Sequence, residues 1–564
     1  MLKDIYIENF RMLKVCRIRN LGKVNILIGR NNCGKSSVLD AICMAKSVVN
    51  PDLLGERLPI LLLQRRSIGR SIYTLRNFWH NYKINEIIKI NLKFEHEEEL
   101  DLEIKWENDN TFRVALIDPS GKIPARINGR YFSICRLKIN GNFLGASGDH
   151  GALKKIPQIY HYLQNLILLD DYLARKLESL ETGVFGPLLE PRLDKRIVED
   201  LNKIYGMEAE GLTFIPASPT LPQSRTYRLA TTLPKQSLHI DELGDGSKYA
   251  VALLSIALLL KDSALLIEEI ESHQHIGAIK KLLPTLLEIA EERGLQLFIT
   301  THSYEVIQIF SQLSQKYDVK FFHLAKNNDG IISIREISGP DVKLLSDLGV
   351  DIRELEVYKR FFIVEGAEDV IFLKAIFQKY DKEVEDEGYL IPAGNKKQVK
   401  NVAVALTSTG KEIVAFIDYD KDSEEDILKS LGNILNGRNI LFTQEENSFK
   451  ISNSGSIITV IPLGLPGDET MTNLGITHHE MEDYCLKLIE LDENVKSWLG
   501  ITLNEIAESG KKANFKRLNK SKTYIQILAN KKDMTYSEVI RGIITRARKE
   551  NIEKIIGKIK TIIS

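Results

Sequence analysis

The chain is poor in cysteine and tryptophan and has no net charge. Its five cysteines, Cys16, Cys33, Cys43, Cys135 and Cys485, lie scattered over 564 residues without CxxC or CxxxC spacing. This excludes a disulfide scaffold and a zinc ribbon and points to a reducing, cytoplasmic setting. Basic and acidic residues number 76 each, so no global field draws the chain to nucleic acid or to a membrane surface, and only local patches can do so. The longest apolar run, Ala250–Leu260, is broken by Ser255 and is too short to span a bilayer. The amino terminus lacks the basic-then-apolar order of a secretion signal, so no membrane role is expected. The length exceeds what one core supports and predicts about two to four domains.

What the chain does have is Gly29-Arg30-Asn31-Asn32-Cys33-Gly34-Lys35-Ser36, set between the apolar run Val24–Ile28 and the helical pattern from Ser37 onward. Strand, glycine-bounded loop and helix in that order form a phosphate-binding P-loop. The backbone from Gly29 through Asn32 to Gly34 curls so that its N–H groups face phosphate oxygens. Lys35 reaches the β- and γ-phosphates, Ser36 supplies a hydroxyl to Mg²⁺, and Ser37 opens the helix. ATP with Mg²⁺ is the expected cofactor.

A second part of the nucleotide machinery is expected within 241–302. Leu243-Gly244-Asp245-Gly246-Ser247 is a glycine-rich turn opening an apolar helix, so Gly244, Gly246 and Ser247 offer backbone N–H groups to an anion. The apolar strand Ala264–Ile267 ends in Glu268-Glu269-Ile270-Glu271. There Glu268 is placed to hold the Mg²⁺ shell and Glu269 to polarise the attacking water. The strand Gln296–Thr300 ends in Thr301-His302-Ser303, which puts His302 within reach of the γ-phosphate. A glutamate run after a strand is commonly a solvated turn and a lone histidine commonly structural. Three strand ends in this order behind a P-loop outweigh that. His273 and His275 carry little weight as zinc ligands without a cysteine or carboxylate at ligand spacing.

Elsewhere, residues 3–8 and Val15–Ile18 read as a hairpin that feeds the P-loop strand. Pro51 and Pro59 break the stretch 47–80. Ile84–Phe94, Asp101–Trp106, Thr111–Ile117 and Tyr131–Ile139 read as strands of an antiparallel meander. Ile159, Tyr162, Leu163, Leu166 and Leu169, then Leu173, Leu177 and Leu180, recur at helical spacing, which predicts a helical insert at 150–210 that packs or dimerises. Pro216, Pro219, Pro222 and Pro234 punctuate an extended segment.

Beyond Leu355 a new α/β unit begins. Phe361–Val364 is a buried strand ending in Glu365-Gly366, and Asp369 lies in the turn that opens the next helix. Glu412–Ile417 is another apolar strand, ending in Asp418-Tyr419-Asp420, with the strand and turn Leu390–Gly394 between them. Strand ends of an α/β sheet gather on one carboxyl edge, so Glu365, Asp369, Asp418 and Asp420 are expected together. Without a cation they would repel one another, which predicts a Mg²⁺ or Mn²⁺ site. An EF-hand from Asp418 is rejected, because Ser423 stands where glycine is needed and Lys429 where glutamate is needed. Lys511, Lys512, Lys516, Arg517, Lys520 and Lys522 form an acid-free basic run that suits a phosphate backbone, with seven more basic residues in 541–560. Phe515 and Tyr524 alone are near it, so base stacking is not indicated.

The Ile-x-Asn-Phe-Arg hairpin, the P-loop and the 241–302 motifs resemble ATPases of the ABC and SMC class. By that resemblance Gly29–Ser36 is Walker A, Leu243–Ser247 a degenerate signature motif, Ile267–Glu269 Walker B and His302 the switch histidine. The pattern departs from the class in two places. Glu268 replaces the Walker B aspartate, and Glu271-Ser272-His273-Gln274-His275 replaces the usual Glu-Asn-Gly-Leu-His wording, which implies slow hydrolysis. Val364-Glu365-Gly366 followed by Asp418-Tyr419-Asp420 resembles the Toprim fold. The whole, carried by 1–45, 240–305 and 358–425, resembles the OLD (overcoming-lysogenisation-defect) nucleases, which include Gabija- and retron-type anti-phage effectors.

The fold class so implied is α/β: an ABC/SMC-like P-loop ATPase with a helical insert, then a Toprim domain and a helical C-terminal region. The expected boundaries are 1–149 and 211–350 for the ATPase around the insert at 150–210, 356–500 for the Toprim domain and 501–564 for a basic helical region. The resemblance further implies two-metal DNA cleavage, a homodimer or higher homo-oligomer, and a defence partner such as a helicase or a reverse transcriptase with its non-coding DNA. Glu480 and Glu482 are implied as the family's second acidic pair and Lys522 as its lysine, with Lys511, Lys512 and Lys520 open as alternatives. The competing reading is an SMC-like ATP-dependent DNA clamp or sensor whose Toprim unit binds without cutting.

Overall fold

The computed structural model describes residues 1–46, 62, 75–95, 99–108, 111–116, 132–134, 138–139, 142–143, 157–175, 180–189, 191–216, 227–327, 331–512 and 520–557. Expectations for Pro51, Pro59, Pro219, Pro222, Phe515, Lys516 and Arg517 lie outside these residues. The chain divides into two compact units, Met1–Lys343 and Leu344–Ser564. Among the described residues no helix is long and apolar enough to cross a membrane.

The N-terminal unit is built on a six-stranded sheet in the order Ile167–Leu169, Ala264–Ile267, Gln296–Thr300, Val24–Ile28, Val319–Lys326, Ile332–Ser338. The first five strands run parallel and the last is antiparallel. Short continuous apolar strands, buried throughout, are what a parallel sheet covered on both faces demands. A second sheet, ordered Leu13–Ile18, Leu2–Phe10, Ile88–Phe94, Glu99–Asn108, Thr111–Leu116, Phe132–Ile134, buries alternate residues such as Ile88, Ile90 and Leu92. Its last pairing corrects the expected meander, because Phe132–Ile134 runs parallel to Thr111–Leu116. The P-loop helix Lys35–Ala45 shares one core with both sheets, and every residue in it except Ser36 is buried.

One short contact, from Arg11, fixes the entering hairpin to that helix. Arg11 turns the hairpin with φ +49° and stacks its guanidinium over the rings of Phe10 and Phe78. It then places Nη1 2.8 Å from Oδ2 of the buried Asp40, on the P-loop helix.

The stretch expected as one helical insert is more varied. Helix Pro157–Asn165 gives way at once to the strand Ile167–Leu169, which pairs in parallel with Ala264–Ile267 and so belongs to the central sheet. Ile159, Tyr162, Leu163 and Leu166 are buried in the core of the N-terminal unit, so this helix packs there.

The C-terminal unit carries a six-stranded sheet in the order Tyr389–Pro392, Arg360–Val364, Glu412–Asp418, Ile457–Leu463, Ser448–Ile451, Phe442–Glu445. The first four strands are parallel and the last two antiparallel. Helices Ala367–Lys379, Glu482–Leu491, Ser521–Lys532 and Tyr536–Arg546 cover it with one core, in which Phe362, Phe372 and Phe416 meet Ile525, Leu528, Ile540 and Ile543. Residues past 500, expected as a region of their own, thus contribute to the same core as the strands.

Removing the guanidinium from the Arg11–Asp40 pair takes a charged partner from a buried carboxylate. Arg11→Ala should lower the stability of the N-terminal unit by about 3 kcal/mol in denaturant unfolding, and Arg11→Met combined with Asp40→Leu should recover most of the loss. A wild-type midpoint for Arg11→Ala would show that the pair does not hold the hairpin.

Candidate functional site

Register in the N-terminal sheet decides which residues meet. Leu169 pairs with Ile267, Ile267 with Ile299, Thr300 with Leu27, and Ile28 with His323. The strand ends are therefore level, and Asp170, Glu268, His302 and Gly29 follow on one carboxyl edge, where ligands of open α/β sheets bind.

Gly29 has φ +135°, and a Cβ there would stand 2.3 Å from the Leu324 carbonyl oxygen. Only glycine fits that approach. Gly34 (φ +95°) and Asn32 (φ +66°) complete the left-handed curl, with Ser36 and Ser37 on the first turn of the helix. Lys35 donates to the carbonyl oxygens of Gly29 (2.8 Å) and Arg30 (2.9 Å), and its Nζ lies 3.8 Å from Sγ of Cys33. Burial holds its ammonium below the ordinary lysine range, against the opposing pull of Cys33, Glu269 and Glu271.

Glu268 continues the Walker-B-like strand, its N–H donating to Leu169 O at 2.9 Å. Glu269 then takes a left-handed turn with φ +50° and donates its N–H to Thr300 Oγ1 at 3.0 Å. Glu271, to which the sequence reading gave no task, accepts from the N–H groups of His302 (2.6 Å) and Ser303 (3.1 Å). The turn Leu243–Ser247 opens helix Asp245–Leu259. Gly246 O accepts from Gln274 Nε2 (2.7 Å) and from the hydroxyl of Tyr205 (3.0 Å), which ties this turn to the segment after Glu271. His273 Nε2 stands 2.9 Å from Asp171 Oδ1.

The second candidate site lies wholly in the C-terminal unit. Glu365 and Asp418 end neighbouring parallel strands, and Glu365 Oε1 accepts from the Asp418 N–H at 3.1 Å. Asp369, in the first turn of helix Ala367–Lys379, accepts from the Gly366 N–H at 2.8 Å. Asp418 Oδ1 accepts from the Met481 N–H at 3.2 Å. Asp420, at φ +51°, exchanges backbone hydrogen bonds with His479 (2.8 and 3.0 Å). Lys520 in turn bridges to His478, so three distant segments are laced together and Glu480 and Glu482 come to the strand ends.

The electrostatics of this edge are those of crowded, buried acids. Burial first, then the Asp369 and Asp420 charges, lifts Glu365 to about 7. Burial lifts Asp369 to about 6, with Glu368 adding to it, and burial with Glu480 and Asp369 lifts Glu482 to about 7. Asp418 is raised well above the carboxylate range by burial and by Asp369, Glu365, Glu482 and Glu480 together. Glu482 also accepts from the Tyr536 hydroxyl. One oxygen of the buried Glu480, Oε2, has no hydrogen-bond partner among the described residues, while Oε1 receives Lys520 at 3.0 Å. Lys522 instead pairs with Glu368 at 3.1 Å, so both lysines border the acids. Lys396, which the sequence reading did not single out, stands 2.6 Å from Asp422 and 3.8 Å from Asp420. Lys511 and Lys512 end helix Leu503–Lys512 and are exposed. Among the described residues, no three such acid, histidine or cysteine side chains stand ready arranged as metal ligands. The donor set itself, oxygen-only and charge-burdened, is of the kind that hard divalent cations take.

Three family models match the chain. Residues 1–123 match an AAA ATPase domain, and 152–308 match the AAA domain family whose description names the AbiEii toxin and type IV TA systems. Residues 359–559 match a protein family of unknown function, DUF3226. An ATP/GTP phosphatase of Helicobacter pylori is 23% identical over 359 residues, covering 59% of this chain and 94% of its own length. An uncharacterised protein of Methanocaldococcus jannaschii is 33% identical over 112 residues, 20% of this chain and 49% of its own. Of solved structures, the SMC head domain from Thermotoga maritima aligns over 59% of this chain and 97% of its own at 14% identity and a TM-score of 0.31. With the P-loop, the level strand ends and these matches together, the N-terminal unit is a P-loop ATPase domain similar to AAA ATPase domains.

Proposed function

We propose that the chain is an ATP-gated, divalent-metal-dependent DNA endonuclease or nickase of the OLD type, acting as a homo-oligomer with a defence partner. One observation carries the nuclease half: Glu365, Asp369, Asp418, Glu480 and Glu482 are gathered at one sheet edge, where the other four raise the pKa of Asp418, with Lys520 and Lys522 at its border. Groups held at such mutual cost are retained where a cation or a reaction uses them. The Helicobacter relative's description as an ATP/GTP phosphatase supports nucleotide hydrolysis, and the AbiEii wording of one matching family supports a place in defence.

In this reading Ser36 and Glu268 hold the Mg²⁺ of ATP, Lys35 neutralises phosphate charge, Glu269 orients the attacking water and His302 faces the γ-phosphate. Leu243–Ser247 caps the nucleotide of a second protomer. In the C-terminal unit two divalent ions, Mg²⁺ or Mn²⁺, when bound, supply a water of lowered pKa and neutralise the leaving oxygen. Glu365, Asp369, Asp418 and Asp420 hold one side of that pair and Glu480 with Glu482 the other, Glu480 having an oxygen free to turn inward. Lys520 and Lys522 neutralise the charge of the scissile phosphodiester.

A second reading, the ATP-dependent clamp that binds DNA without cutting, is favoured by one observation. The acids are engaged by backbone N–H groups and form no ready ligand cage among the described residues.

Three outcomes test the proposal. Lys35→Ala should abolish binding of a fluorescent ATP analogue, whereas Glu269→Gln should bind it normally and lose hydrolysis, because the glutamate acts only when water attacks; equal loss of binding in both would reverse these roles. In a plasmid-nicking assay with Mg²⁺ or Mn²⁺, ATP and candidate partners varied, Asp418→Ala and Glu365→Ala should lose cutting by about 100-fold or more and keep ATP binding. Wild-type cutting by Asp418→Ala would move the nuclease elsewhere, and no cutting by the wild type under any condition would favour the clamp.

The third outcome concerns pH. Glu365 and Glu482 titrate near 7 in the folded unit, against the ordinary carboxylate range when unfolded. Between those values the folded state binds more protons, so its stability falls as pH rises. In chelator, the melting temperature of the C-terminal unit should drop from about pH 5 to about pH 8, and Mg²⁺ should restore it at the upper end. A flat profile, or one that Mg²⁺ leaves unchanged, would remove the acids from metal binding.

A further inference from the structure

Of the acids on the N-terminal sheet edge, Glu271 has geometry that the roles above do not use. Its Oε1 receives two backbone N–H groups in succession, from His302 at 2.6 Å and Ser303 at 3.1 Å. These are the amides between the end of strand Gln296–Thr300 and helix Tyr304–Leu313, whose N-cap is Ser303. The two loops are further laced by Glu269 N–H to Thr300 Oγ1 (3.0 Å) and Ile270 N–H to Thr300 O (3.4 Å). Glu271 Oε2 is buried and has no hydrogen-bond partner among the described residues.

Holding that second oxygen without a donor is unfavourable. A buried carboxylate oxygen without a donor costs about 1–3 kcal/mol, and a neutral side chain would hold the same two amides without that charge. The charge is felt at the P-loop, where Glu271 is among the groups that favour the ammonium form of Lys35. It is felt also at Tyr249, on the helix opened by Leu243–Ser247, whose buried hydroxyl likewise lacks a partner.

We propose that Glu271 is the positioning residue of nucleotide hydrolysis: its carboxylate fixes the backbone of His302 and Ser303 so that the His302 imidazole meets the γ-phosphate. Glu271 itself touches neither nucleotide nor water. This rests on the reading in which His302 faces the nucleotide. Misplacing such a group by about 1 Å costs on the order of 100-fold in rate without removing ground-state binding.

The experiment uses the full chain and compares Glu271→Ala, Glu271→Gln, His302→Ala and the double variant Glu271→Ala/His302→Ala. Glu271→Ala should lower kcat by about 100-fold while the Kd for a non-hydrolysable ATP analogue stays within about threefold. Glu271→Gln, which keeps an acceptor oxygen, should recover part of the rate. The double variant should be no slower than His302→Ala, because Glu271 acts through His302. Hydrogen exchange of the analogue-bound chain should be faster at 301–304 in Glu271→Ala and unchanged at 24–40. Wild-type turnover by Glu271→Ala, multiplicative losses in the double variant, or unchanged exchange at 301–304 would overturn the proposal. A wild type that hydrolyses no nucleotide would count against the ATPase reading instead, and the exchange comparison would still decide whether Glu271 holds the loop.

Discussion

Parallel pairing in register is the constraint on which both units depend. In the N-terminal sheet it makes the chain breaks after Ile28, Leu169, Ile267 and Thr300 fall level, so groups from four distant parts of the sequence share one edge. In the C-terminal sheet Phe361 pairs with Ile413 and Val414 with Thr459, which brings Glu365 and Asp418 to one level in the same way. Slipping any of these strands by one residue would exchange its side chains between the two covered faces and shift its terminal side chain by about 3.3 Å along the strand. The chemistry is therefore specified by apolar residues that never touch a ligand.

The two edges then solve opposite electrostatic problems. At the P-loop a single buried lysine is set among carbonyl oxygens and two glutamates, and the surplus of backbone N–H groups suits an anion. At the C-terminal edge acids outnumber cations, burial disfavours their charge, and backbone amides of Gly366, Asp418 and Met481 offset part of it. Glu269 and Asp420 both stand in left-handed backbone, where a side chain is re-aimed out of the strand's alternation.

What the sequence revealed was local. Gly29–Ser36, the acids after Ala264–Ile267 and the acid at each end of Arg360–Val364 and Glu412–Asp418 could be read because each motif joins a short apolar run to a turn. Ile167–Leu169 could not, because its three residues continue the apolar spacing of the preceding helix and nothing in that spacing marks a change to strand. The strand Ile457–Leu463, inserted between Glu412–Asp418 and its antiparallel neighbours, also escaped. Glu271 escaped for a different reason: it reads as one more acid in a solvated turn until the amides of His302 and Ser303 are seen to converge on it. The union of the last helices with the C-terminal sheet rests on contacts such as Phe372 with Ile540 in one core, which no local pattern encodes.

The place of Val24–Ile28 in its sheet bears on how the protein is made. Both its neighbours, Gln296–Thr300 and Val319–Lys326, are synthesised long after it. At about 5–20 residues per second the P-loop strand leaves the ribosome on the order of tens of seconds before either partner exists. During that time its four apolar residues have no sheet to enter, and the P-loop has no Leu324 carbonyl to close on. The nucleotide site is thus assembled late, by residues that arrive when more than half of the chain has been translated, and nascent chains must keep that strand covered until then.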